Sequence, residues 1–165
     1  MEEQIYIITM LVSNKPSVTS RVTGLFSGRG YNMESICGAP THDPEISRIT
    51  IKTKATPETF IEIQAQLNRL IDVVKLRDMT LDEKAVKREM ALISVVATPE
   101  RQKELIDLVA DSGAKTISEA EDSLIFEITG AEEEINALID QLRPYGIKKV
   151  ARSGILALYR ELEVE

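Results

Sequence analysis

Few residues in this sequence could carry out chemistry. It has one histidine, His42, and one cysteine, Cys37. His42 lies in a proline-containing loop, where a histidine is usually just exposed, and Cys37 lies in an apolar segment and is expected to pack rather than react. Neither has the neighbours that a zinc site requires, and the run Glu132–Glu134 is typical of a helix start. The sequence therefore predicts no catalytic residue and no metal site.

The turn Asn14–Ser17 is the place where the sequence predicts a ligand. It precedes an amphipathic helix with one apolar stripe, formed by Val18, Val22, Leu25 and Phe26. The first N–H groups of a helix have no partner within it, and the helix dipole favours negative charge there. A small anion such as a carboxylate could therefore bind at this turn.

Other ligand classes fit the sequence less well. Gly24, Gly28 and Gly30 lie within and after the predicted helix, whereas the glycines of a dinucleotide fingerprint open one. The net charge is −7, and all of it falls in residues 81–165, because residues 1–80 are neutral. An acidic chain lacks the basic surface that nucleic acid requires, so no nucleic-acid partner is expected.

Composition is typical of a cytoplasmic protein. The 165 residues are 43% hydrophobic but only 4% aromatic, which predicts an aliphatic core. A single cysteine excludes an internal disulfide and fits a reducing compartment. No signal peptide and no membrane-crossing apolar run is apparent, so no membrane partner is expected.

Hydrophobic periodicity predicts the order β-α-β-β-α-β in the first half, which is the plan of a ferredoxin-like domain. Thr56-Pro57-Glu58 is typical of a helix start. The predicted elements are a strand over Gln4–Val12, a helix over Val18–Arg29, strands over Asn32–Ala39 and Ile46–Thr53, a helix from Thr56, and a strand over Asp72–Met79.

The same order is predicted in the second half, after a charged linker over residues 81–88. Its elements are a strand over Glu89–Ala97, a helix from Thr98 that ends at Gly113, strands over Lys115–Glu119 and Ser123–Thr129, a helix after Gly130, and a strand over Tyr145–Tyr159. The predicted fold class is α+β, with two ferredoxin-like βαββαβ domains over residues 1–80 and 89–165. Each has an antiparallel sheet with its helices packed on one face.

The first strand of each half is apolar on both faces. Helices on one face of a sheet cover only one side of such a strand. Something else must cover the other side, because soluble proteins rarely leave large apolar patches bare. The other domain, a second copy of the chain or a different protein could each supply that cover.

Two stretches resemble a known family. The run SRVTGLFSGRGYNMESICGAPTHDPEISRITI, from Ser20 to Ile51, resembles the N-terminal signature of acetolactate synthase small, regulatory subunits. The run VARSGILAL, from Val150 to Leu158, is similar to the family's closing segment. The resemblance implies an amino-acid-binding ACT domain in residues 1–80 and an ACT-like second domain. It also implies homodimers joined through their ACT domains.

The resemblance also implies a partner and a role. Family members dock on a large catalytic subunit that depends on thiamine diphosphate and is expected to carry Mg and FAD, with no cofactor in the small subunit. They raise its activity and make it sensitive to feedback inhibition by a branched-chain amino acid, usually valine. The chain itself would be non-catalytic.

The site that the resemblance implies can bind a zwitterion. N–H groups around Ser17 and Val18 would hold the carboxylate, and the Asn14 side-chain oxygen would accept from the ammonium group. Asn32 would close the site from the partner chain, and the small Ala39 would leave room for the ligand side chain. The implied site residues are Asn14, Lys15, Pro16, Ser17, Val18, Asn32 and Ala39.

Ser17 departs from the family pattern, which usually has glycine there. Glycine allows a positive φ and close approach of a ligand, whereas serine could cap the helix or crowd the site. Two other functions stay open on the residues alone. One is a stand-alone ACT-type amino-acid-binding protein, and the other is a small enzyme on a ferredoxin-like scaffold, which the lack of a catalytic constellation opposes.

Overall fold

The computed structural model describes residues 2–81 and 83–160. Residues 1, 82 and 161–165 of the predicted domains and linker lie outside this part. The strands are β1 (Gln4–Ser13), β2 (Met33–Pro40), β3 (Ile46–Ala55), β4 (Val73–Asp78), β5 (Ala85–Val96), β6 (Lys115–Ala120), β7 (Ser123–Gly130), β8 (Ile147–Arg152) and β9 (Leu156–Tyr159). The α-helices are α1 (Val18–Arg29), α2 (Pro57–Leu67), α3 (Pro99–Val109) and α4 (Glu132–Leu142). Short 3-10 helices follow at Ala110–Ser112 and Arg143–Tyr145.

The chain forms two compact units, one of Met1–Val86 with Ile155–Glu165 and one of Lys87–Gly154. The sheet of the first unit has the strand order β2-β3-β1-β4, and that of the second has the order β6-β7-β5-β8. These neighbours pair antiparallel in both sheets. The predicted pair of ferredoxin-like βαββαβ units is therefore confirmed.

The core of the first unit follows from alternation along β1. From Tyr6 to Val12, every second residue of this strand faces the helices and is buried, and α1 and α2 each contribute one apolar stripe. Gly30 ends α1 in the left-handed conformation, and its N–H donates to Ser27 O at 3.2 Å. The largest buried side chains here include Ile8, Met10, Phe26, Ile51, Ile63 and Leu67.

The C-terminal part differs from the prediction. The single strand expected over Tyr145–Tyr159 is two strands, β8 and β9, because Gly154 takes a φ of 79° between them. β9 pairs with β5 and groups with the first unit, so the second unit ends at Gly154 and does not include all of residues 89–165. β5 begins at Ala85, inside the segment predicted as a linker.

The placement of β9 explains why β1 is apolar on both faces. Ile155 and Ala157 are buried with Ile7, Met79 and Ala85 in a second, smaller core of the first unit. Ile7 alternates with Ile8, which belongs to the main core, so the two lie on opposite faces of β1. A segment close to the C-terminus of the chain thus covers part of a face for which the sequence suggested another domain or another molecule.

The second unit contains a buried ion pair beside its aliphatic core. Glu89 on β5 is 5% exposed, and its two carboxylate oxygens accept from Arg152 Nε at 2.9 Å and Nη2 at 2.5 Å. Arg152 Nη1 also donates to Asn136 Oδ1 of α4 at 2.9 Å. Hydrogen bonding to Glu89 raises the pKa of Arg152. It joins β5, β8 and α4.

Candidate functional site

A cleft of about 390 Å³ lies where β1, β2 and β3 of the first unit come together beside the first turn of α1. The sheet register brings these ends together, because Val12 pairs with Ser47 on one side of β3 and Pro40 pairs with Ser47 on the other. The cleft is lined by Val12, Ser13, Asn14, Lys15, Val18, Thr19, Ile36, Gly38, Ala39, Pro40, Ser47 and Ile49. Four of the predicted site residues, Asn14, Lys15, Val18 and Ala39, are among them.

Asn14 is held in one orientation by the loop between β2 and β3. Its backbone N–H donates to Glu45 O at 2.7 Å, and its side-chain Nδ2 donates to Pro44 O at 2.8 Å. With the amide nitrogen engaged in this way, the Oδ1 atom is the part of the side chain that can accept from a ligand. This is the role that the family resemblance implied for Asn14.

The start of α1 supplies hydrogen-bond donors. The Val18 N–H makes only a long bond to Lys15 O, at 3.4 Å. Within the described part of the chain, the N–H groups of Thr19 and Ser20 have no acceptor. These donors lie at the positive end of the helix dipole, where a carboxylate is favoured.

Ser17 has φ 69° and ψ 0°, in the left-handed region, and is the one non-glycine with positive φ in the described residues. Its side chain makes no capping bond to the helix, so the cap that a serine could have provided here is absent. Ser17 and Pro16 are exposed and do not line the cleft. The family's usual glycine at this position suits the observed backbone better than serine does.

We expect Ser17→Gly to raise the free energy of unfolding of the first unit by about 1 kcal/mol, because the left-handed conformation costs serine about that much more than glycine. Urea unfolding measures the change. Ser27→Gly, at an exposed position of α1 with helical backbone, is the matched control and should lower stability instead. Loss of stability in Ser17→Gly would contradict the strain argument.

Asn32 lies outside the cleft of its own chain. Its Nδ2 donates to Glu34 Oε1 at 2.6 Å, and its carbonyl accepts from Thr53 Oγ1 at 2.5 Å. These bonds fix the start of β2. The contribution of Asn32 to the site of a partner chain stays a prediction.

Gly38 is one of the cleft residues that sequence reasoning missed. It pairs with the buried Ile49, so a side chain at this position would point toward the helix side of the sheet and into the cleft. A Cβ atom added there would lie 3.3 Å from Ile49 Cγ1. Ala39 pairs with Arg48, so its side chain points to the opposite face. Strict alternation along β2 from Ile36, also a lining residue, would have identified Gly38 as the floor.

Outside the cleft the described residues show little chemistry. They contain no group of three or more His, Cys, Asp or Glu side chains that could hold a metal ion. Cys37 is half-buried, and Glu134 Oε2 accepts from the Ala131 N–H at 2.6 Å, as expected of a helix start. Within residues 2–81 and 83–160, no helix is long and apolar enough to cross a membrane.

Known proteins similar to this chain share both its units. The family model for an AHAS small subunit-like ACT domain matches residues 8–75, and the model for the small subunit of acetolactate synthase matches residues 88–161. A probable acetolactate synthase small subunit from Archaeoglobus fulgidus is 40% identical over 155 residues, covering 94% of this chain and 96% of the relative. The acetolactate synthase small subunit from Bacillus subtilis is 41% identical over 155 residues, covering 93% of this chain and 90% of the relative.

A solved structure agrees with the whole architecture. The crystal structure of the acetolactate synthase small subunit from Thermotoga maritima superposes with a TM-score of 0.85 at 36% identity. The superposition covers 96% of this chain and 98% of that structure.

The fold and its matches define a protein built from ACT-type ferredoxin-like units. The chain belongs to the family of acetolactate synthase small subunits. The resemblance of Ser20–Ile51 and Val150–Leu158 to this family is confirmed, and the chain is a regulatory rather than a catalytic subunit.

Proposed function

We propose that this regulatory subunit binds valine or another branched-chain amino acid in the cleft beside Asn14. It raises the activity of the large catalytic subunit and makes that activity subject to feedback inhibition. The observation that carries the proposal is the combination of free N–H donors at the start of α1, a fixed acceptor on Asn14 and apolar walls within one cleft.

The chemistry of the cleft matches each part of such a ligand. N–H groups at a helix start suit the carboxylate, and the Asn14 Oδ1 atom suits the ammonium group. Aliphatic lining residues, among them Val12, Val18 and Ile49, suit a branched aliphatic side chain. Valine is therefore the first ligand to test.

We also propose that two copies of the chain join through their ACT domains. β2 pairs with β3 on one side and lies at the edge of its sheet, where its other side can pair with a second chain. The cleft is next to this edge, and Asn32 immediately precedes β2. A dimer joined at β2 would therefore bring Asn32 close to the partner's cleft, as the family resemblance implies.

The catalytic chemistry belongs to the partner in this proposal. Thiamine diphosphate, Mg and FAD would be held by the large catalytic subunit, and no cofactor by this chain. A cytoplasmic location fits the single, unpaired cysteine, Cys37. Neither nucleic acid nor a membrane is proposed as a partner.

The proposal is tested by calorimetric titration with valine, leucine, isoleucine and an unrelated amino acid. Saturable valine binding is expected, with about tenfold weaker affinity in Asn14→Ala, because the ammonium group loses a charge-assisted hydrogen bond. Asn68→Ala, an exposed change at the end of α2, is the control and should bind as the wild type does. Absence of binding to any branched-chain amino acid would contradict the sensor role.

A pull-down separates the subunit from a stand-alone binding protein. Copurification with a large thiamine-dependent subunit is expected. Valine binding without such a partner would favour the stand-alone ACT-type protein instead.

A further inference from the structure

Asp72 is a buried carboxylate that connects both ends of the turn Asn14–Ser17. It is 9% exposed and immediately precedes β4. Its backbone carbonyl accepts from the Ser13 N–H at 2.9 Å, and Ser13 is the last residue before the turn. Its side-chain Oδ2 accepts from Arg21 Nε at 2.9 Å and from Nη2 at 2.5 Å. The Arg21 N–H in turn donates to Ser17 O at 3.0 Å, at the other end of the turn.

The turn needs such connections because its conformation is unfavourable. Ser17 adopts the left-handed conformation, which a non-glycine residue keeps only where its surroundings enforce it. Asp72 fixes the strand before the turn through Ser13 and the helix after it through Arg21. The bonds from Asn14 to Pro44 and Glu45 fix the first residue of the turn itself.

The ion pair is suited to a positioning role. Asp72 is nearly buried, so its carboxylate depends on Arg21 for compensation, and the two hydrogen bonds are charge-assisted. The Arg21 side chain is 45% exposed and belongs to the same helix start that supplies donors to the cleft. Asp72 does not line the cleft, so any effect on a ligand must pass through the residues that it holds.

We infer that Asp72 sets the amino-acid affinity of the cleft by fixing Ser13 and Arg21 on the two sides of the turn, without touching the ligand. This inference rests on the proposed function. It assigns part of the control of affinity to Asp72, which lies 51 positions from Arg21 in the sequence. Donors at a helix start bind a carboxylate well only when their direction is fixed in advance.

Asp72→Asn tests the inference in the full chain. This change keeps the shape and the backbone carbonyl but removes the charge that holds Arg21. We expect about tenfold weaker valine affinity by calorimetry, because the donors are no longer held in one geometry. Arg21→Lys keeps the charge but loses the forked contact, so its affinity should lie between those of Asp72→Asn and the wild type.

A control variant must show that a loss of stability alone does not weaken valine binding. Thr56→Ala removes the cap of α2, because the Thr56 hydroxyl oxygen accepts from the Thr59 N–H at 3.3 Å. This change leaves the turn Asn14–Ser17 untouched. Its valine affinity should equal that of the wild type. Unchanged affinity in Asp72→Asn, or equal weakening in Thr56→Ala, would overturn the positioning role.

Amide hydrogen exchange gives a second readout that needs no ligand. Exchange of the Arg21 amide, which donates to Ser17 O, should be faster in Asp72→Asn than in Thr56→Ala, because only the first variant removes the charge that holds Arg21. Equal exchange in the two variants would overturn the inference. If the wild type bound no branched-chain amino acid, the proposed function would fail and the exchange result would still decide whether Asp72 holds the turn.

Discussion

Arg152→Ala is expected to lower the free energy of unfolding of the second unit by about 3 kcal/mol, because it leaves the carboxylate of Glu89 buried without a cation. Glu89 is 5% exposed and receives two of its hydrogen bonds from Arg152. The same change removes the bond to Asn136. Urea unfolding followed by circular dichroism measures the loss.

Arg143→Ala is the matched control for this prediction. Arg143 pairs with Asp140 at 2.9 Å in the same unit, but both side chains are more than two-thirds exposed. An exposed pair of this kind contributes less than about 1 kcal/mol. The ion pair would be unimportant if Arg152→Ala were as mild as Arg143→Ala. Arg152→Glu, which adds a second negative charge beside Glu89, should be more destabilising than Arg152→Ala.

Gly38→Leu is expected to weaken valine binding by about a hundredfold or more, because the new side chain would occupy the space of the ligand. Gly38 is the floor of the cleft, and its register with Ile49 directs a side chain into that space. The contact of the added Cβ with Ile49 is tight, so a loss of about 1–3 kcal/mol in stability is also expected. Calorimetry measures the first effect and urea unfolding the second.

A graded series separates these two effects. Gly38→Ala meets the same Ile49 atom but leaves most of the cleft open, so it should lose far less affinity than Gly38→Leu. Thr129→Leu places a leucine at an exposed position of β7, in the second unit, and should bind valine normally. If Gly38→Leu bound valine as tightly as the wild type, the ligand would not occupy this cleft.

The sequence by itself determined the elements and their order. The apolar run Gln4–Val12, the apolar stripe from Val18 to Phe26 and the Thr-Pro start of α2 are local signals, because the residues that give them are also the residues that form each element. Two successive β-α-β-β-α-β patterns then define the ferredoxin-like units. The segment Ser20–Ile51 also carried the family resemblance.

The sequence likewise located the turn Asn14–Ser17, and the family resemblance indicated that the position of Ser17 usually holds glycine. The structure adds that Ser17 is left-handed and makes no cap. It also places Pro16, Ser17 and Asn32 outside the lining of the cleft, whereas Gly38, on a neighbouring strand, forms its floor.

Only the tertiary structure decided which distant groups meet. β9 covers Ile7 with Ile155 and Ala157, although its sequence position suggested that it would close the second unit. Asp72 meets Arg21 across 51 positions, and Glu89 meets Arg152 across 63. Hydrophobic periodicity specifies which face of an element is buried, but it does not specify which other element covers that face. It also does not specify which residue of opposite charge pairs with a buried carboxylate. Those choices depend on strand register and on the path of the chain between elements, and neither leaves a local pattern in the sequence.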